Sequence, residues 1–163
     1  MRAFQPILLN LVKQKIPESA SDRIKSVAGS GLELKYPDQH FDLLFSNSVI
    51  EHVGTWENQQ AFASEARRVG KQLWIQTPAQ EFFLEPHYMT PFIHWFPIFI
   101  RRKLIKNFTL WGLTNRPTDN QVEHSIDELR LLKREEMVAL FPDCLILEEK
   151  FIGLSKSYIA IRT

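Results

Sequence analysis

The constraint that does most to limit the fold of this chain is the run GSGLELKYPDQHFDLLFSNSVIEHV, residues 29–53. A polar turn, Pro37 to His40, leads into five residues, Phe41 to Phe45, that are apolar but for Asp42. The run stops abruptly at Ser46, Asn47 and Ser48. A second apolar pair, Val49 and Ile50, then meets a carboxylate and an imidazole, Glu51 and His52. A short apolar run bounded by turn chemistry fits a strand buried on both faces. In open α/β sheets ligands are met beyond the carboxyl ends of such strands. Ser46, Asn47 and Ser48 are therefore expected at a binding site, in the middle of a Rossmann-like sheet.

The remaining elements are read around that strand. Ile7 to Val12 is expected as a strand, and Lys13 to Asp22 as a loop with one helical turn at most. Ile24 to Val27 is a further strand, stopped at Ala28-Gly29-Ser30-Gly31. Two glycines around one serine permit close approach of backbone to a ligand, or a plain turn. Residues 56–69 carry Ala61, Phe62, Ala66 and Val69 at helical spacing, and Gly70 follows as a stop. Lys71 to Gln76 is the next strand, so residues 41–76 form a right-handed βαβ unit. Residues 81–106 are aromatic, are broken by Pro86, Pro91 and Pro97, and end in Arg101, Arg102 and Lys103. They read as a cap over an acceptor pocket, ahead of plain packing or a membrane-surface segment. Residues 107–124 are expected as an exposed loop. Ser125-x-x-Glu128 reads as a capping box opening a helix, with Met137, Leu140 and Phe141 on its buried face. Leu145–Leu147 and Ser157–Ile161 pair as an antiparallel hairpin about Gly153. The whole is one domain, residues 1–163, with 81–124 as a cap or insertion.

Totals exclude several classes. The 163 residues suffice for one core, and 44% apolar with 24% charged residues is ordinary for a globular chain. A net charge of +1 gives no global field toward nucleic acid. The single cysteine, Cys144, excludes an internal disulfide framework and multi-cysteine zinc sites. With no stretch of eighteen apolar residues and no secretory pattern at the start, a cytoplasmic protein is expected.

The run Ala28 to Asp42 resembles the middle of class I S-adenosylmethionine-dependent methyltransferases of the type 11 group. Leu34, Tyr36, Pro37, Asp38, Phe41 and Asp42 carry the likeness. Val49-Ile50-Glu51-His52-Val53 extends it, as do Glu65, Arg68 and Val69 before a strand ending in Thr77-Pro78. The likeness is specific over residues 24–80. It implies an α/β, Rossmann-like sheet, mostly parallel with an antiparallel C-terminal hairpin, and S-adenosyl-L-methionine as cofactor. Only six residues precede Ile7, so the family's first strand and glycine-rich loop are expected to be missing. The resemblance implies cofactor contacts at Asn10, Ser30, Gly31, Leu32, Ser46, Asn47, Ser48 and Val49. Asn10 stands in place of the usual acidic ribose ligand and Ser30 in place of an adenine-binding Asp.

Methyl transfer needs an acceptor held in line, and a base only where the acceptor must lose a proton. His52 is the candidate base. Glu51 and His52 can equally occupy the first turn of a helix, where the dipole favours a carboxylate. Glu85, His87, Tyr88 and His94 in the cap are candidate acceptor contacts. A metal site at Glu85, His87 and His94 is disfavoured, because no helical i, i+4 ligand pair appears. His40 and His124 read as surface residues. The expected partner is a small-molecule acceptor, with self-association through an uncovered sheet edge as a further possibility. A non-catalytic binding domain is the competing reading.

Overall fold

In the computed structural model, which describes residues 5–85 and 87–163, the expected βαβ unit forms the centre of the main sheet. Pro86, read above as a helix breaker, lies outside the described residues. Strand β3 (Phe41–Asn47) runs parallel to β4 (Gly70–Pro78), registered from Phe41 opposite Gly70 to Asn47 opposite Gln76. Helix α1 (Trp56–Val69) makes the crossover. Thr55 caps it by accepting from the Asn58 amide, which satisfies one of its free N–H groups. The polypeptide then turns straight into β4 at Gly70, whose backbone is extended rather than left-handed.

Strands β7 (Leu145–Phe151) and β8 (Leu154–Arg162) form the expected antiparallel hairpin. Gly153 takes the turn with φ +78, a conformation that L side chains resist. Strand β8 adds antiparallel to β4, giving the order β3-β4-β8-β7. Strands β1 (Ile7–Asn10) and β2 (Lys25–Ala28) pair parallel in a separate two-stranded sheet. The loop between them holds one 3₁₀ turn, Glu18–Ala20.

Two expectations for β3 are overturned. It is an edge strand, paired only with β4 among the described residues. It is also buried on one face rather than two: Leu43 and Phe45 are 50% and 64% exposed, whereas Ser46 is buried. The reason lies in the layering. Helices α1 and α5 (Arg134–Leu140) cover one face, where Ile50, Phe62, Leu73, Ile75, Met137 and Phe141 make the core. Leu43 and Phe45 lie on the other, more exposed face.

The cap departs further from expectation. After two short strands, β5 (Leu84–Glu85) and β6 (Thr90–Pro91), come α2 (Ile98–Phe108), α3 (Leu110–Asn115) and α4 (Asp119–Glu128). Residues 107–124 are thus mostly helical, not a loop. Of the residues that suggested a loop, Asn115 ends α3, Pro117 lies in the short link, and Asp119 and Asn120 open α4. Thr118 and Gln121 form a reciprocal capping box at the start of α4, and Asp119 complements its dipole. Ser125 and Glu128 lie within and at the end of α4, so the box expected there is not one. Tyr88, Ile93, Ile105, Val122 and Ile126 give the cap its own core.

Candidate functional site

The site is built on a 3₁₀ turn, Ile50–His52, that follows the carboxyl end of β3. Ser48 adopts φ +52 as the polypeptide leaves the strand, and its amide donates to the Gln76 carbonyl. Gln59, wholly buried on α1, fixes the turn from below. Its Nε2 donates to the carbonyls of Ile50 at 3.1 Å and Arg130 at 2.8 Å. Arg130 returns a bond to Gln59 Oε1 at 2.6 Å, and its amide donates to the Glu51 carbonyl at 2.8 Å. Sequence reasoning did not single out Gln59; the signal was a polar side chain on the same helical stripe as Phe62, Ala63 and Ala66.

Glu51 therefore points inward. Its carboxyl is fully buried, and Oε2 accepts from Thr77 Oγ1 at 2.9 Å. Glu51 does stand in the first turn of this short 3₁₀ helix, and the buried Ile50 side chain anchors that turn in the core. Burial pushes the Glu51 carboxyl above its ordinary range, opposed by hydrogen bonds from its own backbone and from Thr77.

The cap brings three of its four candidates to this point. Glu85 is buried and accepts from the Tyr88 amide at 2.7 Å. His87 Nδ1 lies 2.6 Å from Glu85 Oε1 and its Nε2 lies 4.0 Å from Glu51 Oε1. The His52 and His87 rings meet edge to face with centroids 4.5 Å apart. Burial pulls His87 down, but the hydrogen bond and charge of Glu85 and the charge of Glu51 outweigh it, and its pKa is raised. Burial, and then the charge of His87, lowers that of His52. Tyr88 donates to the Ser125 carbonyl at 3.1 Å. His52, His87, Tyr88, Trp111, Ser125 and Glu128 line a cavity of about 150 Å³, closed by Leu129. His94 is apart from it, with Nε2 3.0 Å from the Gln80 carbonyl oxygen. His40 and His124 are surface residues, His124 paired with Glu128.

The eight candidate cofactor residues fall into separate environments. Asn10 ends β1 and is exposed. Ser30 Oγ accepts from the Leu32 amide at 3.1 Å, so that amide is already engaged. Gly31 lies tight against α1, where a Cβ would meet the Phe62 ring at 2.9 Å. Asn47, Ser48 and Val49 are exposed at the end of β3. Ser46 is buried there, and its hydroxyl has no hydrogen-bond partner among the described residues. A larger hollow of about 670 Å³ lies by the loop between β1 and β2, lined by Ile7, Lys13, Ile16, Arg23 and Lys25 among others. None of the eight residues lines it.

Comparison with known proteins adds two findings. The methyltransferase-domain family profile matches residues 4–73, which span β1 to the first half of β4. No curated protein matches the sequence. Among solved structures, the PH0226 protein from Pyrococcus horikoshii OT3 superposes with a TM-score of 0.56 at 16% identity, over 97% of this chain and 70% of that one. A protein described as a zinc-dependent alcohol dehydrogenase from Rhodobacter sphaeroides gives 0.54 at 14% identity, over 88% and 67%. An O-methyltransferase family protein from Burkholderia thailandensis gives 0.50 at 12% identity, over 89% of this chain and 37% of that one. At these identities the likeness is one of fold.

Proposed function

We propose that the chain is a class I methyltransferase, on the match of residues 4–73 to the methyltransferase-domain family, and that it binds S-adenosyl-L-methionine and transfers its methyl group to a small-molecule acceptor. The observation that carries this is the family match over residues 4–73. It covers β1, β2, β3, α1 and the turn bearing Glu51 and His52. The residues fit the cofactor at one point in particular: the buried Ser46 hydroxyl, unpartnered among the described residues, at the carboxyl end of β3. A buried hydroxyl without a partner costs about 1–3 kcal/mol, which a ligand polar group offsets.

In this reading Ser46, Asn47, Ser48 and Val49 hold the methionine side of the cofactor. Ser30, Gly31 and Asn10 hold the nucleoside side, with Asn10 accepting a ribose hydroxyl. S-adenosyl-L-methionine supplies an electrophilic methyl group on a sulfonium. The polypeptide positions the acceptor and keeps water from it. His52 is the base for an acceptor that must lose a proton. Its lowered pKa keeps the imidazole neutral near pH 7, the state that accepts a proton. Glu85, His87 and Tyr88 shape the acceptor side; His94 orders the cap. A cytoplasmic location accompanies this reading, and no helix among the described residues is long and apolar enough to cross a membrane.

The competing reading, a non-catalytic binding domain, is favoured by the engaged Leu32 amide. Calorimetry with S-adenosylhomocysteine separates the two. Saturable heat with a Kd below about 1 mM, or about −4 kcal/mol, is expected, weakened in Ser46→Val. Absence of heat at that concentration overturns cofactor binding by this chain and leaves the non-catalytic reading.

A further inference from the structure

Glu51, His52 and His87 come from two stretches of sequence, yet each offers one ligand atom and these atoms lie within 4.8 Å of one another. No other such group occurs among the described residues. We infer that these three side chains bind one divalent transition-metal ion at the junction of the 3₁₀ turn and the cap.

Three observations support the site independently of any cofactor. Glu51 is wholly buried, and Oε1, the oxygen facing His87, has no hydrogen-bond partner among the described residues. A carboxylate oxygen left bare in the interior is costly, and a cation removes that cost. His87 Nδ1 is held by Glu85 at 2.6 Å, which fixes the ring and turns Nε2 toward Glu51 Oε1. A carboxylate behind a histidine is the usual outer support of a metal-bound imidazole. The 4.0 Å gap between His87 Nε2 and Glu51 Oε1 is too long for a hydrogen bond. Two ligands at about 2.1 Å from a shared tetrahedral ion stand about 3.4 Å apart, so capture draws these groups inward by less than about 1 Å.

The donor set also indicates the class of ion. Two imidazoles and one carboxylate suit Zn²⁺, Co²⁺, Fe²⁺ or Mn²⁺ rather than Mg²⁺ or Ca²⁺, which prefer all-oxygen shells. Glu51 and Glu85 together balance a charge of two. His52 is the accessible member of the set and borders the small cavity lined by Tyr88, Trp111, Ser125 and Glu128. A fourth ligand, water or an acceptor oxygen, enters from that side, and with the ion bound His52 no longer serves as the base proposed above. The metal-site reading rejected on sequence paired His87 with Glu85 and His94. The fold instead places Glu85 behind His87 and sends His94 to the Gln80 carbonyl.

The test needs neither cofactor nor activity. The full chain, stripped with a chelator, is dialysed against Co²⁺ and then against Zn²⁺. Metal content is measured by mass spectrometry and ligand geometry by the visible absorption of Co²⁺. About one ion per chain is expected, with the intense absorption of a tetrahedral Co²⁺ site. At least a tenfold loss of affinity is expected in His52→Asn and His87→Ala, and none in His40→Ala. His52 is exposed, so His52→Asn keeps the test decisive even where His87→Ala perturbs folding. Metal content no higher in the wild-type protein than in His52→Asn overturns the site. It leaves a charged His87 shared between two carboxylates as the account of the cluster.

Discussion

A single side chain, Glu65, ties the segment after β2 to helix α1. Its Oε2 accepts from the Leu34 amide at 2.7 Å, and both its oxygens meet the Arg68 guanidinium. Arg68 reaches on to the carbonyls of Leu34 and Tyr36 and to Asp38. Glu65→Ala is therefore expected to cost about 1–2 kcal/mol in urea unfolding, because it removes a charge-assisted bond and frees Arg68, with some loss of effect to solvent. The pH dependence carries a sign. The Arg68 hydrogen bond lowers the Glu65 pKa below its ordinary 4.5, against a smaller opposing push from burial. A group depressed on folding stabilises fully above its unfolded pKa and loses that contribution as pH falls through the folded value. The stability difference between wild type and Glu65→Gln should shrink as pH falls through 4.5 and below it. Glu65 and Arg68 were legible in the sequence because they belong to a local motif. Gln59 and the Glu51–His52–His87 cluster were not, because their meaning arises only when α1, the 3₁₀ turn and the cap converge. Glu51 alone reads as a first-turn residue favoured by a helix dipole, and only the fold shows its carboxyl buried against Thr77.

At the scale of elements, periodicity served where one apolar stripe faced one core. Helix α1 was read at its true bounds, as were the positions of β4, β7 and β8 to within a few residues. It failed in the cap, where three short helices meet and their ends outnumber their middles. The link between α2 and α3 shows why such ends resist reading. Gly112 packs against the end of α2 so closely that a Cβ would lie 2.0 Å from the Ile105 carbonyl oxygen and 2.5 Å from that of Lys106. Thr109 holds the turn, donating to Ile105 and accepting from the Gly112 amide. In sequence this glycine looks like an ordinary loop residue. Gly112→Ala is expected to force α2 and α3 apart at a cost of about 1–3 kcal/mol. Hydrogen exchange should show the damage as faster exchange in residues 98–128, with the amides of β4 and β8 unchanged, since the cap has its own core.

For the molecule as a whole, the decisive fact is that the main sheet is covered on one side. Reading across the register, Phe45 stands opposite Trp74, Trp74 opposite Ile161, and Ile161 opposite Leu145. Phe45 and Leu145 are each 64% exposed and Trp74 is 37% exposed, so an apolar row crosses the uncovered face. Leu43 and Leu147 extend it on either side. Proteins seldom leave such a continuous patch in water, and β3 also presents an unpaired backbone edge among the described residues. We propose that both features favour association of this chain with a second copy of itself, through burial of the row and pairing along the edge. The core face of β3, with Leu44 and Ser46, is untouched by changes at Phe45, because alternate residues of a strand point to opposite faces. Phe45→Lys therefore leaves α1 packing intact while placing a charge in the middle of the row. Light scattering over a concentration series should show wild-type mass rising with concentration and the Phe45→Lys mass staying at that of one chain. A wild-type protein that stays at the mass of one chain throughout the series would mean that the row remains in water unaided, and that this face takes no part in assembly.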